Sequence, residues 1–288
     1  MYTVFRPQII IFAAFFGFSC SLFSESEFND ERVNFLYQDR NRFAEVHYPG
    51  GVEENEMVPL VIAFHGAGDS GPNFRDGTGL NRLADQFGFI MAYPSATGFN
   101  WAEGCNCIRP DLDGVDDVGF AEALVDHLAA TGRVDTERVF AIGYSQGGVF
   151  THHLACLKSD IFAGVAMYAG PMGRVVSKNC DPKEPVNVLL AHGTDDKVLP
   201  FTGVEDGLGT LLSAVESTRK WAQFNGCFTN LKTQPVDFLS EKLIIHTAQF
   251  CEDDVRVQLI EWSGGSHSWP RREIRIEERM IAFFGLSD

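Results

Sequence analysis

Residues 143–147 read Gly-Tyr-Ser-Gln-Gly, directly after the apolar, β-prone run Val139-Phe140-Ala141-Ile142. The pattern predicts a sharp strand-to-helix turn with Ser145 at its apex. Flanking glycines are small enough there for backbone to pack against backbone. The serine hydroxyl then stands at the carboxyl end of a sheet, over the positive end of the following helix. Strand-like runs alternate with helical segments along the whole length, which predicts one doubly wound, mostly parallel α/β domain over residues 25–288. No internal repeat, Pro/Ser-rich linker or low-complexity tract interrupts it.

Three further segments, in a fixed order, give the serine its partners. Upstream, the buried-strand run Pro59–Phe64 breaks into His65-Gly66-Ala67-Gly68. A strand ending this way sets free N–H groups beside the turn, so the Ala67 and Gln146 amides are the candidate oxyanion donors. Downstream, Pro185–Ala191 ends in His192-Gly193-Thr194-Asp195-Asp196. A nucleophile–histidine pair needs a carboxylate to hold the ring in one tautomer; spacing leaves Asp195 and Asp196 equally eligible. Last, Gly264-Gly265-Ser266-His267-Ser268-Trp269-Pro270 places a histidine in a Gly-rich loop. The other histidines fit less well. His47 and His246 fall in strand-like stretches, His127, His152 and His153 in helical ones, and His65 and His192 precede glycines and brace loops. Trp101 and Trp269 sit in loops near these segments and are the candidate cleft residues.

The four segments together resemble the secreted α/β-hydrolase esterase family of feruloyl esterases and polyhydroxybutyrate-depolymerase-like enzymes. The similarity runs from about Val58 to Pro270 and rests on HGAGD, GFIMAYPSA, the Trp101 loop with its paired cysteines, DDVGFAEALVDHL, GYSQGG, HGTDDKVLP and GGSHSWP. It implies an α/β-hydrolase fold, a triad of Ser145, Asp196 and His267, and no metal or organic cofactor. Asp196 is chosen because family members carry the acid on the second acidic position of HGT-x-D. The implied substrates are feruloyl or other plant-wall esters, with hydroxyalkanoate oligomers or acetyl xylan-type esters as alternatives. Tyr144 and Gln146 depart from the Leu and Ala or Asn common in the family, which leaves the acyl preference open. A serine peptidase usually carries an extra domain, and a non-catalytic binding protein on this scaffold usually lacks a triad member.

Arg6 followed by the apolar run Ile9–Phe18 predicts a signal peptide over residues 1–24, hence secretion. Acylation of Cys20 is the minor alternative, because the preceding Gly17-Phe18-Ser19 matches a lipoprotein signal poorly. Its removal moves the formal charge from −16 to −17. So acidic a surface disfavours nucleic acid and anionic membranes, and no later segment is apolar enough to span a bilayer. The expected partner is an ester substrate. The remaining cysteines, Cys105, Cys107, Cys156, Cys180, Cys227 and Cys251, form an even set that predicts disulfides, with nearest-neighbour pairing preferred. Metal binding at Cys105-Asn106-Cys107 lacks a second ligand pair at the usual spacing. Strands are expected at 60–64, 89–93, 139–143, 162–168, 186–191, 243–249 and 255–260, with 42–48 as an antiparallel edge. Helices are expected at 79–87, 118–130, 147–157, 211–225 and 274–284.

Overall fold

The structure, a computed structural model, describes Met1 and residues 29–53, 56–205 and 209–287. Apart from Met1, the expected signal segment, including Cys20, lies outside the described residues. The described chain opens with a hairpin, β1 (Asn29–Tyr37) and β2 (Arg40–Tyr48), followed by β3 (Val58–Phe64). Helices α1 (Gly71–Thr78) and α2 (Leu80–Phe87) lead to β4 (Ile90–Pro94). After the short α3 (Arg109–Leu112) come α4 (Asp117–Ala129), β5 (Val134–Tyr144), α5 (Gln146–Leu157), β6 (Gly164–Tyr168), α6 (Arg174–Asn179) and β7 (Asn187–Gly193). The chain closes with α7 (Ala214–Phe224), β8 (Phe228–Phe238), β9 (Glu241–Gln249), β10 (Val257–Trp262) and α8 (Ile276–Phe283).

One sheet takes all of these strands, in the order β1-β2-β4-β3-β5-β6-β7-β10-β9-β8. Its middle, from β4 to β10, is parallel, and antiparallel hairpins extend both edges. Central strands are buried on both faces, so they read as continuous apolar runs rather than alternating ones. In β3 the pleat sends Leu60, Ile62 and Phe64 to one core and Val61 and Ala63 to the other. The first core is closed by Phe120 and Leu124 of α4, Phe150 and Leu154 of α5, and Trp221 of α7. Phe74 of α1, Leu83 of α2, and Met280 and Ile281 of α8 close the second. From β3 the chain goes first to β4 on one side, then to β5 on the other. That reversal leaves a crevice beyond the carboxyl ends of β3 and β5, where open α/β sheets bind ligands.

Every strand and helix expected from the sequence is present, with shifted ends. Strand β2 is not an edge, because β1 pairs outside it. Helix α7 starts at Ala214 rather than at 211, since Leu211 forms a bridge with Val204 and Gly173. Five of these elements were not expected from the sequence: β1, β8, α1 and the short helices α3 and α6. Strand β8 pairs only with β9 and is largely exposed, so its Lys232 and Pro235 suit an edge but conceal a strand. The edge strand β1 is polar in the same way. The weak helix α1 (GPNFRDGT) forms because its proline sits in the first turn and Phe74 is buried.

The three disulfides pair Cys105 with Cys107, Cys156 with Cys180, and Cys227 with Cys251. The second joins α5, which follows the serine turn, to the end of α6. Its sequence separation is 24 residues, and closing such a loop in the unfolded chain corresponds to about 3 kcal/mol. Replacing Cys156 and Cys180 together by serine is expected to lower the denaturant-derived stability by that order. An unchanged unfolding midpoint would contradict this.

Candidate active site

The serine turn forms where β5 meets α5. Ser145 has φ 54° and ψ −123°, outside the regions open to most side chains. Its amide donates to the Tyr168 carbonyl at 2.9 Å, which anchors the turn to the neighbouring strand. Both glycines of the motif are needed for space. A Cβ on Gly143 would stand 2.4 Å from the Gly147 oxygen, and one on Gly147 would stand 2.3 Å from the Phe64 oxygen. Gln146 is the first residue of α5, whose first-turn N–H groups have no partner within the helix. Its amide and that of Ala67, just past β3, belong to residues lining the same cavity as Ser145.

His267 meets the serine from the other side. The Ser145 hydroxyl donates to His267 Nε2 at 2.8 Å, and His267 Nδ1 donates to Asp196 Oδ2 at 2.7 Å. A carboxylate only accepts, so Nδ1 carries the proton and Nε2 is free to receive one. Asp196 Oδ1 accepts from the Val198 and Leu199 amides at 2.8 and 2.9 Å. Burial alone would push this carboxyl up. The hydrogen bonds from His192, His267 and the two amides outweigh burial and hold it well below the usual carboxylate range. Asp195 is exposed near Lys197, and its amide donates to the Gly265 carbonyl at 2.9 Å. It shapes the turn while its neighbour faces the histidine.

The loop bearing His267 is tied down at several points. Tyr144 and Tyr168, at the ends of β5 and β6, donate to the carbonyls of His267 and Ser266 at 2.9 and 2.6 Å. Gly264 donates to Thr194 Oγ1 at 2.8 Å, and Thr194 donates to the Trp262 carbonyl at 2.9 Å. The acid loop and the histidine loop are thus laced together. The other histidines have structural partners. His65 Nδ1 donates to the Gly66 carbonyl, and its Nε2 accepts from Ala96. Burial pushes His152 down to about 3, and its Nδ1 accepts from Trp221 Nε1 at 2.8 Å.

A cavity of about 570 Å³ opens from Ser145. Its apolar wall includes Ile108, Pro110, Val149, Val198, Leu199 and Leu211, and the buried Glu103 also lines it. Neither tryptophan is among the lining residues. Trp101 is fully buried, stacked on Phe150 at 5.3 Å, with Nε1 donating to the His65 carbonyl. Trp269 packs edge-on against Phe74, Tyr144 and Tyr168, behind the histidine loop. Trp101 is therefore a core residue, while Trp269 is partly buried against the second core, and neither lines this cavity. Glu103 was not foreseen. A single acid beside Trp101 and the CNC loop was visible, but sequence does not say which way it points. The carboxylate of Glu103 and the sulfurs of Cys105 and Cys107 lie within 4.8 Å of one another, and those sulfurs are bonded to each other.

The comparisons with known proteins fit this geometry. A family model described as Esterase PHB depolymerase matches residues 42–180, and one described as Phospholipase/Carboxylesterase matches residues 116–246. Feruloyl esterase B of Neurospora crassa is 33% identical over 251 residues, which cover 79% of this chain and 82% of that enzyme. The chain belongs to the α/β-hydrolase esterase family. Feruloyl esterase B of Piromyces equi is 25% identical over 77% of this chain, but the match spans only 42% of that longer protein. Acetyl xylan esterase from Aspergillus awamori superimposes with a TM-score of 0.65 at 17% identity, covering 89% of this chain and 99% of that one. That likeness shows the shared fold. Among the described residues no helix of this esterase is long and apolar enough to cross a membrane.

Burial pushes the Glu103 carboxyl up to about 7, although a hydrogen bond with Gln146 pulls the other way. Between the ordinary carboxylate range and that value the folded chain binds more protons here than the unfolded chain does. Stability therefore falls as pH rises across this window and levels off above it. The full effect is on the order of 3 kcal/mol. Glu103→Gln is expected to flatten the pH dependence of unfolding between about pH 5 and 7. It should also be more stable than wild type at pH 8. An identical pH dependence in the variant would contradict the assignment.

Proposed function

We propose that this esterase is a serine carboxylic-ester hydrolase whose catalytic triad is Ser145, His267 and Asp196. The observation that carries the reading is the unbroken hydrogen-bond chain from the strained serine through His267 to the depressed carboxyl of Asp196. Ser145 Oγ attacks the ester carbonyl as His267 Nε2 takes its proton. Asp196 holds the ring by Nδ1 and stabilises the imidazolium. The Ala67 and Gln146 amides receive the oxyanion, at the end of α5 where the helix field favours negative charge. Collapse of the tetrahedral intermediate breaks the bond to the alcohol, which leaves with the proton from His267. Water, activated by the same ring, then hydrolyses the acyl-enzyme and regenerates Ser145.

The relatives named feruloyl esterase support feruloyl or related aromatic plant-wall esters as substrates. The Esterase PHB depolymerase match over residues 42–180 supports short hydroxyalkanoate esters as the second reading. Three disulfides, which persist in oxidising compartments, support secretion as a single catalytic domain.

Ser145→Ala is expected to lower kcat by about 10⁴–10⁶ on a neutral ester while leaving the fold intact. Retention of more than about a tenth of wild-type activity would sink the nucleophile assignment. Asp196→Asn should cost about 10⁴, because the amide leaves His267 in the wrong tautomer. Asp195→Asn should stay within a few-fold of wild type. Similar, mild losses from both substitutions would remove Asp196 from the triad.

A further inference from the structure

The loop from Trp101 to Cys107 is held at almost every residue, and the Glu103 side chain within it hydrogen-bonds Gln146. The Gln146 side chain accepts from the Trp101 amide at 3.0 Å and donates to the Trp101 carbonyl at 2.6 Å. Asp117 accepts from the Ala102 amide at 2.7 Å while also pairing with the buried Arg42. The Asp111 carboxylate takes the amides of Gly104, Cys105 and Asn106 at 3.0 to 3.1 Å, and a disulfide ties Cys105 to Cys107. Glu103 is the residue these clamps surround, and it lines the cavity. Among the described residues it is the one carboxylic acid that lines the cavity. The lining cation, Arg109, is exposed and paired with Asp113 at 2.7 Å. The hydrogen bond with Gln146 uses only part of the acceptor capacity of the Glu103 carboxyl, and a carboxyl taken out of water beside Ile108, Val149 and Leu211 favours a further polar partner from the cavity.

The position of the cavity says which part of an ester enters it. It contains Ser145 and both candidate oxyanion donors, but His267 is not among its lining residues. The leaving alcohol must depart toward His267, which protonates it, so the acyl group occupies the cavity. We propose that Glu103 is a specificity-determining residue that hydrogen-bonds a hydroxyl carried by the acyl group. This rests on the esterase reading above. A hydroxyl both donates and accepts, so it pairs with the carboxyl in either protonation state. An acyl carboxylate would be repelled by the ionised form, and an unsubstituted acyl chain would leave the carboxyl buried without an outside partner. Sites built to bond a substrate hydroxyl discriminate strongly against analogues that lack it. The clamped loop keeps the carboxyl in place before substrate arrives.

The test uses methyl esters, which share one leaving group: methyl 4-hydroxycinnamate against methyl cinnamate, and methyl 3-hydroxybutyrate against methyl butyrate. In wild type, kcat/KM should favour the hydroxylated member of at least one pair by about tenfold or more. Glu103→Met, similar in length and apolar, should bring that ratio to within about twofold of unity. Glu103→Gln keeps a donor and an acceptor and should retain a clear preference. Circular dichroism confirms the fold of each variant, and Glu103→Ala is the second truncation. A wild type without preference in either pair, or a Glu103→Met that keeps the full preference, would overturn the proposal. An active Glu103→Met with unchanged ratios removes this inference alone. Wild type inert on all four esters, or full activity in Ser145→Ala, removes the esterase reading and this inference with it.

Discussion

Much of this structure follows from holding one residue in a conformation it would not choose. Ser145 sits at φ 54° and ψ −123°, which costs of order 1–3 kcal/mol unless its surroundings over-determine it. They do so from three directions. The Tyr168 carbonyl takes its amide, Gly147 lets α5 close against the carbonyl end of β3, and Gly143 lets the helix return over its own strand. The strained turn aims the hydroxyl out of the sheet at a histidine on a loop more than a hundred residues later. That loop stays in place because Tyr144, at the end of the strand leading into the turn, and Tyr168, at the end of the neighbouring β6, grip its carbonyls. The sheet, the turn and the histidine loop therefore depend on one another.

The site handles its two buried carboxyls in opposite ways. Asp196 accepts from two backbone amides and two imidazoles, so it stays ionised in spite of burial. Glu103 has far fewer donors, and burial prevails. One environment favours the ionised carboxylate and the other the protonated acid. Both stand on loops fixed by side-chain-to-backbone hydrogen bonds rather than by regular structure. This lets a rigid scaffold carry a variable binding surface.

The parts legible in the sequence were those under backbone constraint. Gly143 and Gly147 announce the turn around Ser145 because no larger residues fit at either, and buried strands such as β3 and β7 announce themselves as unbroken apolar runs. The cysteine pairs were readable because each joins near neighbours in sequence, two residues apart in one loop for Cys105 and Cys107 and 24 apart for the other two pairs. The edges were not. Strands β1 and β8 have a solvated face, and their polar residues hide the alternation that would mark a strand. Side-chain direction in loops was equally hidden: Trp101 was expected in the cleft and lies in the core, while Glu103, two residues on, lines the cavity. Which of two neighbours turns inward depends on Gln146, Asp117 and Asp111, none of them adjacent in sequence.

Covalent labelling tests the central claim most directly. A fluorophosphonate ester mimics the tetrahedral intermediate and reacts only with a serine that a base has activated. The protein should take up one phosphonyl group per chain, located on Ser145 by peptide mass spectrometry, with ester hydrolysis lost in proportion. His267→Ala should slow the labelling by about 10³-fold or more, since the hydroxyl then has no base. Labelling at another serine, or full ester hydrolysis in protein labelled at Ser145, would contradict the account.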